Sequence, residues 1–149
     1  MSTNKEALID TAISVLNEKL INIQTELNGL DRSLKNETKS SAGDKFETSR
    51  EMIQQEREKL YNLQLNTKHM LDLLSSTMGK TPTVVESGAL VETDKACLHI
   101  SIPLGKISLG ELTVFFISPS SPLAQAMLNK KVNDAVVFNG VEHKIISIS

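Results

Sequence analysis

Two carboxylates, Asp44 and Glu47, stand three residues apart in the stretch SSAGDKFE and are called the acid pair below. On the first turn of a helix this spacing would place both side chains next to each other and facing solvent, where their oxygens could share a divalent cation. Two carboxylates alone hold such an ion weakly, so further ligands would have to come from a binding partner. The same spacing is also typical of a capping box, with Asp44 as the N-cap and Glu47 at the third helical position. On spacing alone the capping role is favoured, and the two roles are compatible.

The other residue types that commonly do chemistry show no comparable arrangement. The histidines His69, His99 and His143 are scattered along the chain without cysteines or carboxylates at metal-ligand spacing, which favours core or surface roles. Cys97 lies in a strand-like alternation and is interpreted as a packing residue. The serines between residues 118 and 121 lack the G-x-S-x-G pattern of a nucleophile, and there is no glycine-rich phosphate loop. The sequence therefore does not predict a self-contained enzyme.

Composition narrows the class of protein and of partner. The chain has 149 residues, a formal net charge of −2 and 3% aromatic residues, so it has no general basic footprint for nucleic acid and few side chains on which bases could stack. It has one cysteine, no signal-peptide pattern and no apolar run of about 20 residues, which together predict a cytoplasmic protein that does not enter a membrane. Any partner must therefore be recognised locally.

The first half of the chain carries a heptad pattern that predicts an antiparallel helical hairpin. Apolar residues at alternating spacings of four and three predict a first helix over roughly residues 4–38, and a less apolar seam predicts a second helix of similar length. A short connection favours packing of the two helices on each other, with the acid pair in a distal tip near residues 40–47 and a first domain over residues 1–77. The seam positions are Ile9, Ile13, Leu16, Leu20, Ile23, Leu27, Leu30 and Leu34 in the first helix, and Phe46, Ser49, Ile53, Glu56, Leu60, Leu63, Thr67, Met70 and Leu74 in the second.

The second half changes to short strand-like segments and predicts a small β-sheet domain over residues 78–149. Alternation of apolar and polar residues over 97–102 indicates a strand with one buried face. Ser120 or Ser121 can cap a short helix that begins at Pro122. The apolar face of this helix comprises Leu123, Ala126 and Met127, and the predicted strands are 84–85, 89–93, 96–103, 110–118, 135–139 and 143–149. The predicted fold class is α+β, with the helical hairpin first and the sheet domain after it.

The segment ISPSSPLAQAMLNKKVNDAVVFNGVEHKIISI resembles the C-terminal signature of the Gre-type transcript cleavage factors of bacterial RNA polymerase. In that family a strand ending in Ile-Ser is followed by Ser-Pro-hydrophobic-Ala, a short helix, a Gly-Lys-x-x-Gly-Asp turn and two closing strands. This chain has the same order of features, with Asn129 and Asn133 in place of the usual glycines.

The tip of the hairpin resembles the same family. The family pattern there is Gly-Asp-x-x-Glu-Asn, and Gly43 together with the acid pair matches its first three defined positions. Thr48 replaces the asparagine, and Glu51 stands where an aromatic residue is expected. The resemblance thus follows the whole chain in order and is weakest in the helices.

The resemblance implies an FKBP-like C-terminal domain that docks at the rim of the secondary channel of bacterial RNA polymerase, with Ser121, Pro122, Lys130 and Lys131 as candidate contact residues. It implies that the hairpin enters the channel until the acid pair helps to hold a second Mg²⁺, which is shared with the polymerase and not bound stably by the chain alone. The polymerase itself would then cleave a transcript whose backtracked 3′ end lies near the tip. The resemblance also implies a monomeric accessory factor, not an enzyme, and association with DNA-bound transcription complexes.

Three alternatives remain open on the sequence. Relatives with the same plan include inhibitors that occupy the channel without stimulating cleavage, and the replacements at Thr48 and Glu51 keep that possibility open. A prefoldin-like chaperone also has two long helices, although its strands lie between them. A peptidyl-prolyl isomerase is suggested only by the FKBP-like fold, and it would need an aromatic-lined pocket, for which the second half offers only Phe115, Phe116 and Phe138.

Overall fold

The computed structural model describes the backbone of residues 2–40 and 43–149 and the side chains of residues 4–36 and 48–149. Two long helices come first and are followed by a six-stranded sheet with one short helix, which confirms the predicted α+β class. The helices are α1 (Ser2–Ser40), α2 (Gly43–Ser75) and α3 (Pro122–Met127). The strands are β1 (Leu90–Thr93), β2 (Cys97–Ile100), β3 (Gly105–Leu109), β4 (Leu112–Ile117), β5 (Ala135–Phe138) and β6 (Val141–Ile148).

Two compact units divide the chain. One comprises Val15–Leu71, which is most of both long helices. The other comprises Met1–Ser14 and Asp72–Ser149, so the start of α1 and the end of α2 belong with the sheet. The two compact units are not a test of where independent domains begin and end, so the predicted domain boundary between residues 77 and 78 stays a prediction.

The helical unit is held together by a small aliphatic core. Ile23 and Leu27 of α1 and Leu60 of α2 are buried together, and Leu30 packs against them. These residues belong to the predicted seams, and no proline interrupts either helix, so the heptad pattern predicted the pairing of α1 with α2 correctly.

The seam of α2 is shifted relative to the prediction. Glu56 and Leu63, predicted to face α1, are exposed, and Leu63 keeps 50% of its surface accessible. Arg57 and Gln64, one residue further along, are half-buried instead. The shift arises because α1 offers these two polar side chains polar partners, described below, so the prediction for Glu56 and Leu63 was wrong.

Gly29 gives a first prediction about stability. It lies inside α1, and a Cβ added to it would meet nothing within 4 Å. We expect Gly29→Ala to raise the free energy of unfolding by about 1 kcal/mol, because alanine restricts the unfolded chain and favours helix. Urea unfolding of the full chain, followed by circular dichroism at 222 nm, measures this. Gly105→Ala is the matched control: its site is equally open but has φ 86°, so that variant should be less stable than the wild type. A destabilised Gly29→Ala variant would contradict the prediction.

The six strands form one mixed sheet in the order β3-β4-β2-β1-β6-β5. Every neighbouring pair is antiparallel except β2 with β4, which pair in parallel with Leu98 opposite Phe115. This arrangement requires β3, which lies between β2 and β4 in sequence, to occupy the sheet edge beyond β4. The sequence pattern missed β3 and merged its turn with the following strand. In the structure Gly110, at φ 61°, and Glu111 form a two-residue connection between β3 and β4.

The predicted strand at residues 84–85 is absent. The amide of Val85 donates to the carbonyl of Lys130 at 2.9 Å, and the carbonyl of Val85 accepts from the amide of Asn129 at 2.8 Å. Val85 is therefore bound to the segment after α3, and its apolar side chain is buried in the core between the sheet and α3. The two valines at 84–85 predicted a strand, but it is the burial of Val85 in this core that accounts for the apolar residues there.

The short helix α3 covers one face of the sheet. Its core-facing residues are Ala124 and Met127, both fully buried, whereas Leu123 and Ala126 are only partly buried. The predicted face therefore lacked Ala124. The core below α3 comprises Val85, Ala89, Val91, Leu98, Ile100, Val136 and Ile145.

Candidate functional site

Two polar bridges define the register of the hairpin. Gln64 Nε2 donates to Gln24 Oε1 at 3.1 Å, and Arg57 Nε lies 3.0 Å from Asp31 Oδ1 as an ion pair whose N–H is not aligned for a hydrogen bond. Both pairs are centred in the sequence on residue 44. The register of the described part of the hairpin thus converges on the segment that carries the acid pair.

The acid pair itself lies outside the residues whose side chains the structure describes. The backbone of α2 begins at Gly43, one residue before the predicted N-cap Asp44. Asp44 and Glu47 therefore lie in the first turns of α2, and Asp44 stands inside the helix and not at its N-cap position as predicted. Their role as metal ligands and the capping hydrogen bonds stay predictions.

The donor chemistry of the acid pair can be compared with that of a metal site. Carboxylate oxygens suit Mg²⁺ in kind, but Mg²⁺ prefers six oxygen ligands, so two side chains do not complete a site. Within residues 4–36 and 48–149, no three histidine, cysteine, aspartate or glutamate side chains come together to hold a metal ion. A cation shared between the pair and a partner therefore stays a prediction from the sequence.

The loop before α3 is ordered by its own serines. Ser121 is the N-cap of α3, and its Oγ accepts from the Ala124 amide at 3.3 Å, while Pro122 is the first helical residue. This confirms Ser121, and not Ser120, as the cap. Ser118 Oγ and Ser120 Oγ lie 2.8 Å apart, and Gln125 Nε2 donates to the Pro119 carbonyl at 2.7 Å. Capping and turn formation thus account for these hydroxyl groups, as the sequence indicated.

The segment after α3 forms a tight turn with two exposed lysines. Asp134 Oδ2 accepts from the Lys131 amide at 2.7 Å, and the Asp134 amide donates to the Lys131 carbonyl at 3.0 Å. Asn129 and Asn133 adopt left-handed backbone conformations, with φ 65° and 76°. Lys130 and Lys131 are both exposed, and neither ammonium group meets an acceptor in the described part of the chain. These two cations are therefore available to a partner.

A buried polar cluster in the sheet unit was not foreseen from the sequence. Lys5 is 5% exposed, and its Nζ donates to the carbonyls of Ser149 at 2.7 Å and Lys80 at 3.0 Å. Burial, followed by the charge of Lys80, lowers the pKa of Lys5. The lysine lies in the first turns of a heptad pattern, where it looks like a solvated charge. Only the fold brings it to carbonyls so distant in sequence.

His99 is buried beside this cluster. It has no exposed surface, its Nδ1 lies 2.7 Å from Ser101 Oγ, and its ring stacks on Phe116 with centroids 4.9 Å apart. Burial and then the charge of Lys5 lower its pKa to about 4, and its Nε2 has no partner in the described structure. His99 is thus a neutral core histidine. Both faces of β2 are buried here, which corrects the prediction of one buried face.

Cys97 lines a cavity whose other residues come mostly from the central strands of the sheet. Burial, and then the charge of Glu92, raise the pKa of its half-buried thiol, so the thiol stays protonated near neutral pH and is a poor nucleophile. The packing interpretation is therefore supported. The cavity has a volume of about 280 Å³ and is lined by Asn4, Leu90, Glu92, Cys97, Leu112, Ser147 and Ser149.

The remaining findings concern membranes and related proteins. Among the described residues, no helix combines the length and apolar content needed to cross a bilayer. Neither a scan against protein-family models nor a search of curated proteins finds a match for this chain.

Proposed function

We propose that this protein is an accessory factor of bacterial RNA polymerase, of the Gre type, that enters the secondary channel and stimulates the polymerase's own cleavage of backtracked RNA. The observation that carries the proposal is the convergence of the hairpin register on residue 44, within the Gly43-Asp44-x-x-Glu47 motif. A hairpin delivers whatever stands at its turn to a distant point. At about 1.5 Å per residue, the 39 residues of α1 extend over nearly 60 Å.

A second observation supports the resemblance in the sheet unit. Asn129 and Asn133 occupy the positions where the Gre pattern has glycine, and both have positive φ. Asparagine is the residue other than glycine that most readily adopts this conformation. The two replacements therefore preserve the backbone that the glycines of the pattern would allow.

In the proposed mechanism, Asp44 and Glu47 contribute carboxylate oxygens to a site that the polymerase completes. A Mg²⁺ ion bound there by the polymerase and the two carboxylates would supply charge stabilisation for attack of water on the RNA phosphodiester. The pair binds the cation weakly by itself, so assistance is confined to the complex. The catalyst remains the polymerase, and the chain is its cofactor protein.

Docking at the channel rim is assigned to the segment around α3. Lys130 and Lys131 are exposed cations without an acidic partner among the described residues, and Pro122 is exposed at the first turn of α3. The hydroxyl group of Ser121 is engaged as the N-cap of α3. In this proposal Ser121 therefore contributes mainly by positioning Pro122, and less by contacting the polymerase itself. In this proposal the protein acts as a cytoplasmic monomer.

The isomerase and chaperone alternatives are less well supported. An isomerase of FKBP type needs an open apolar pocket against its sheet. Here Val91, Leu98 and Ile100 of the sheet and Met127 of α3 are at most 2% exposed. A prefoldin-like chain has its strands between the helices, whereas all six strands here follow α2. The channel-binding inhibitor shares every feature with the proposed function and is separated from it only by experiment.

The test is RNA cleavage in a stalled, backtracked complex of bacterial RNA polymerase with Mg²⁺. We expect the wild-type protein to accelerate shortening of the transcript at least about tenfold, which corresponds to about 1.4 kcal/mol in the barrier. Slower elongation without added cleavage would contradict stimulation and identify a channel-binding inhibitor. Failure to bind the polymerase would contradict both.

A further inference from the structure

The two sides of the helical unit differ. On one side the bridges Gln24–Gln64 and Asp31–Arg57 connect α1 with α2 across the seam. Tyr61 extends this side, since Arg57 Nη2 contacts its hydroxyl at 3.4 Å. The opposite side is open and carries a groove between the helices.

The groove consists of two adjoining cavities within the unit Val15–Leu71. Their volumes are about 320 and 400 Å³, and they share Glu26 as a lining residue. The α1 wall comprises Lys19, Asn22, Glu26, Gly29 and Ser33, and the α2 wall comprises Glu56, Leu60, Leu63, Thr67 and Met70. Both walls have the 3-4 spacing of a helix face, and each covers about 21 Å, or four helical turns.

The shifted seam of α2 explains why the α2 wall of the groove carries apolar side chains. Because Arg57 and Gln64 turn toward the bridged side, Leu63 and Met70 are left on the open side, and Leu63 is 50% exposed. Ile23 and Leu30 form part of the floor, and Gly29 has no side chain to fill the groove. The apolar residues of the α2 wall lie at helical spacing, so this wall can receive the apolar stripe of an amphipathic helix.

The charges along the groove restrict the occupant. Glu26 and Glu56 line the cavity nearer the turn, and Lys19 lines the other end. Two carboxylates repel a phosphate backbone, so nucleic acid is a poor occupant. An antiparallel pairing of two copies about the middle of the groove would bring their Glu26 carboxylates together, which disfavours a second copy.

We infer that this groove binds a helical segment of RNA polymerase that has an apolar stripe and a lysine or arginine facing Glu26 and Glu56. The inference rests on the proposed function and adds to it a hairpin contact that is separate from the acid pair and from the segment around α3. Apolar burial against Leu63 and Met70 supplies affinity, and the charge pairing sets the direction of the bound helix.

The experiment measures the Kd of the labelled full-length protein for bacterial core RNA polymerase, using pairs of matched variants. Leu63→Glu places a charge in the groove, and Leu65→Glu does so at a residue that is 67% exposed and does not line it. We expect Leu63→Glu to raise the Kd at least about tenfold and Leu65→Glu to leave it nearly unchanged. Since Leu63 is already half exposed, the fold should tolerate the change, and thermal unfolding checks this.

A second pair tests the charges. Glu56→Lys should raise the Kd and reverse the sign of the local salt dependence. Glu58→Lys, a change at another exposed glutamate that does not line the groove, should do neither. If the wild type binds and stimulates cleavage while each groove variant matches its control, the inference is overturned and the proposed function stands. If the wild type does not bind the polymerase, both the proposed function and the inference that rests on it are overturned. A wild-type dimer that Leu63→Glu dissociates would identify a second copy as the occupant and overturn the inference.

Discussion

Replacing Asp44 and Glu47 together by alanine is expected to reduce cleavage of backtracked RNA to the intrinsic rate of the polymerase while leaving the Kd for the polymerase nearly unchanged. The carboxylates are proposed to act only once the hairpin is in place, so their loss removes ligands from the reacting site and not from the docking surface. The expected loss equals the whole stimulation, at least about tenfold in rate. Cleavage of end-labelled transcript and equilibrium binding, measured on the same preparations, separate the two effects.

The capping role of the acid pair needs its own control. Asp44→Asn keeps an oxygen that can accept from the first helical amides, since asparagine caps helices about as well as aspartate, but it removes the charge. If the pair acts through a cation, Asp44→Asn should lose stimulation as Asp44→Ala does. If it acts only by starting α2, Asp44→Asn should keep it. A Glu58→Ala, Asp72→Ala variant removes two charges from the same helix and should stimulate normally. Normal stimulation by the Asp44→Ala, Glu47→Ala variant would exclude the acid pair from the mechanism.

Sequence patterns predicted the long helices well because their signal is local and repeated. The first helix was expected over residues 4–38 and runs over Ser2–Ser40. The seam of α2 was harder, because choosing between Leu63 and Gln64 requires knowing what faces them. The apolar residue was chosen from the sequence, whereas Gln24 on α1 provides Gln64 with a hydrogen-bond partner. A polar bridge between helices is invisible in either helix alone.

The sheet shows the same limit at longer range. Ser121 and Pro122 predict the start of α3 through local capping chemistry, and that prediction was confirmed. Strand β3 was missed because its place at the edge, beyond β4, depends on the parallel pairing of β2 with β4, which no local pattern encodes. Candidate residues of the acid pair could be found from spacing alone. The buried contact of Lys5 with the Ser149 carbonyl could not, because it joins residues 144 positions apart.

The buried histidine of this unit leads to the second large effect, which is on stability. In the folded chain the pKa of His99 is lowered from 6.5 to about 4, first by burial and then by the charge of Lys5. Between these pH values the unfolded chain carries the imidazole proton and the folded chain does not. Stability contributed by the neutral ring is therefore fully present above pH 6.5 and is lost as the pH falls toward 4. The expected loss is about 1.4 kcal/mol per pH unit and about 3 kcal/mol over the window.

Urea unfolding of the full chain at several pH values between 4 and 7 measures this loss, with His99→Gln as the variant that cannot titrate. As the pH is lowered, we expect the unfolding free energy of His99→Gln to fall less steeply than that of the wild type. The difference in slope should be up to about 1.4 kcal/mol per pH unit. Equal slopes for the wild type and His99→Gln would show that the ring accepts a proton in the folded state. Because Nε2 has no partner among the described residues, such a proton would need a rearrangement near Lys5, and the imidazole NMR signal of His99 would then titrate near its ordinary value.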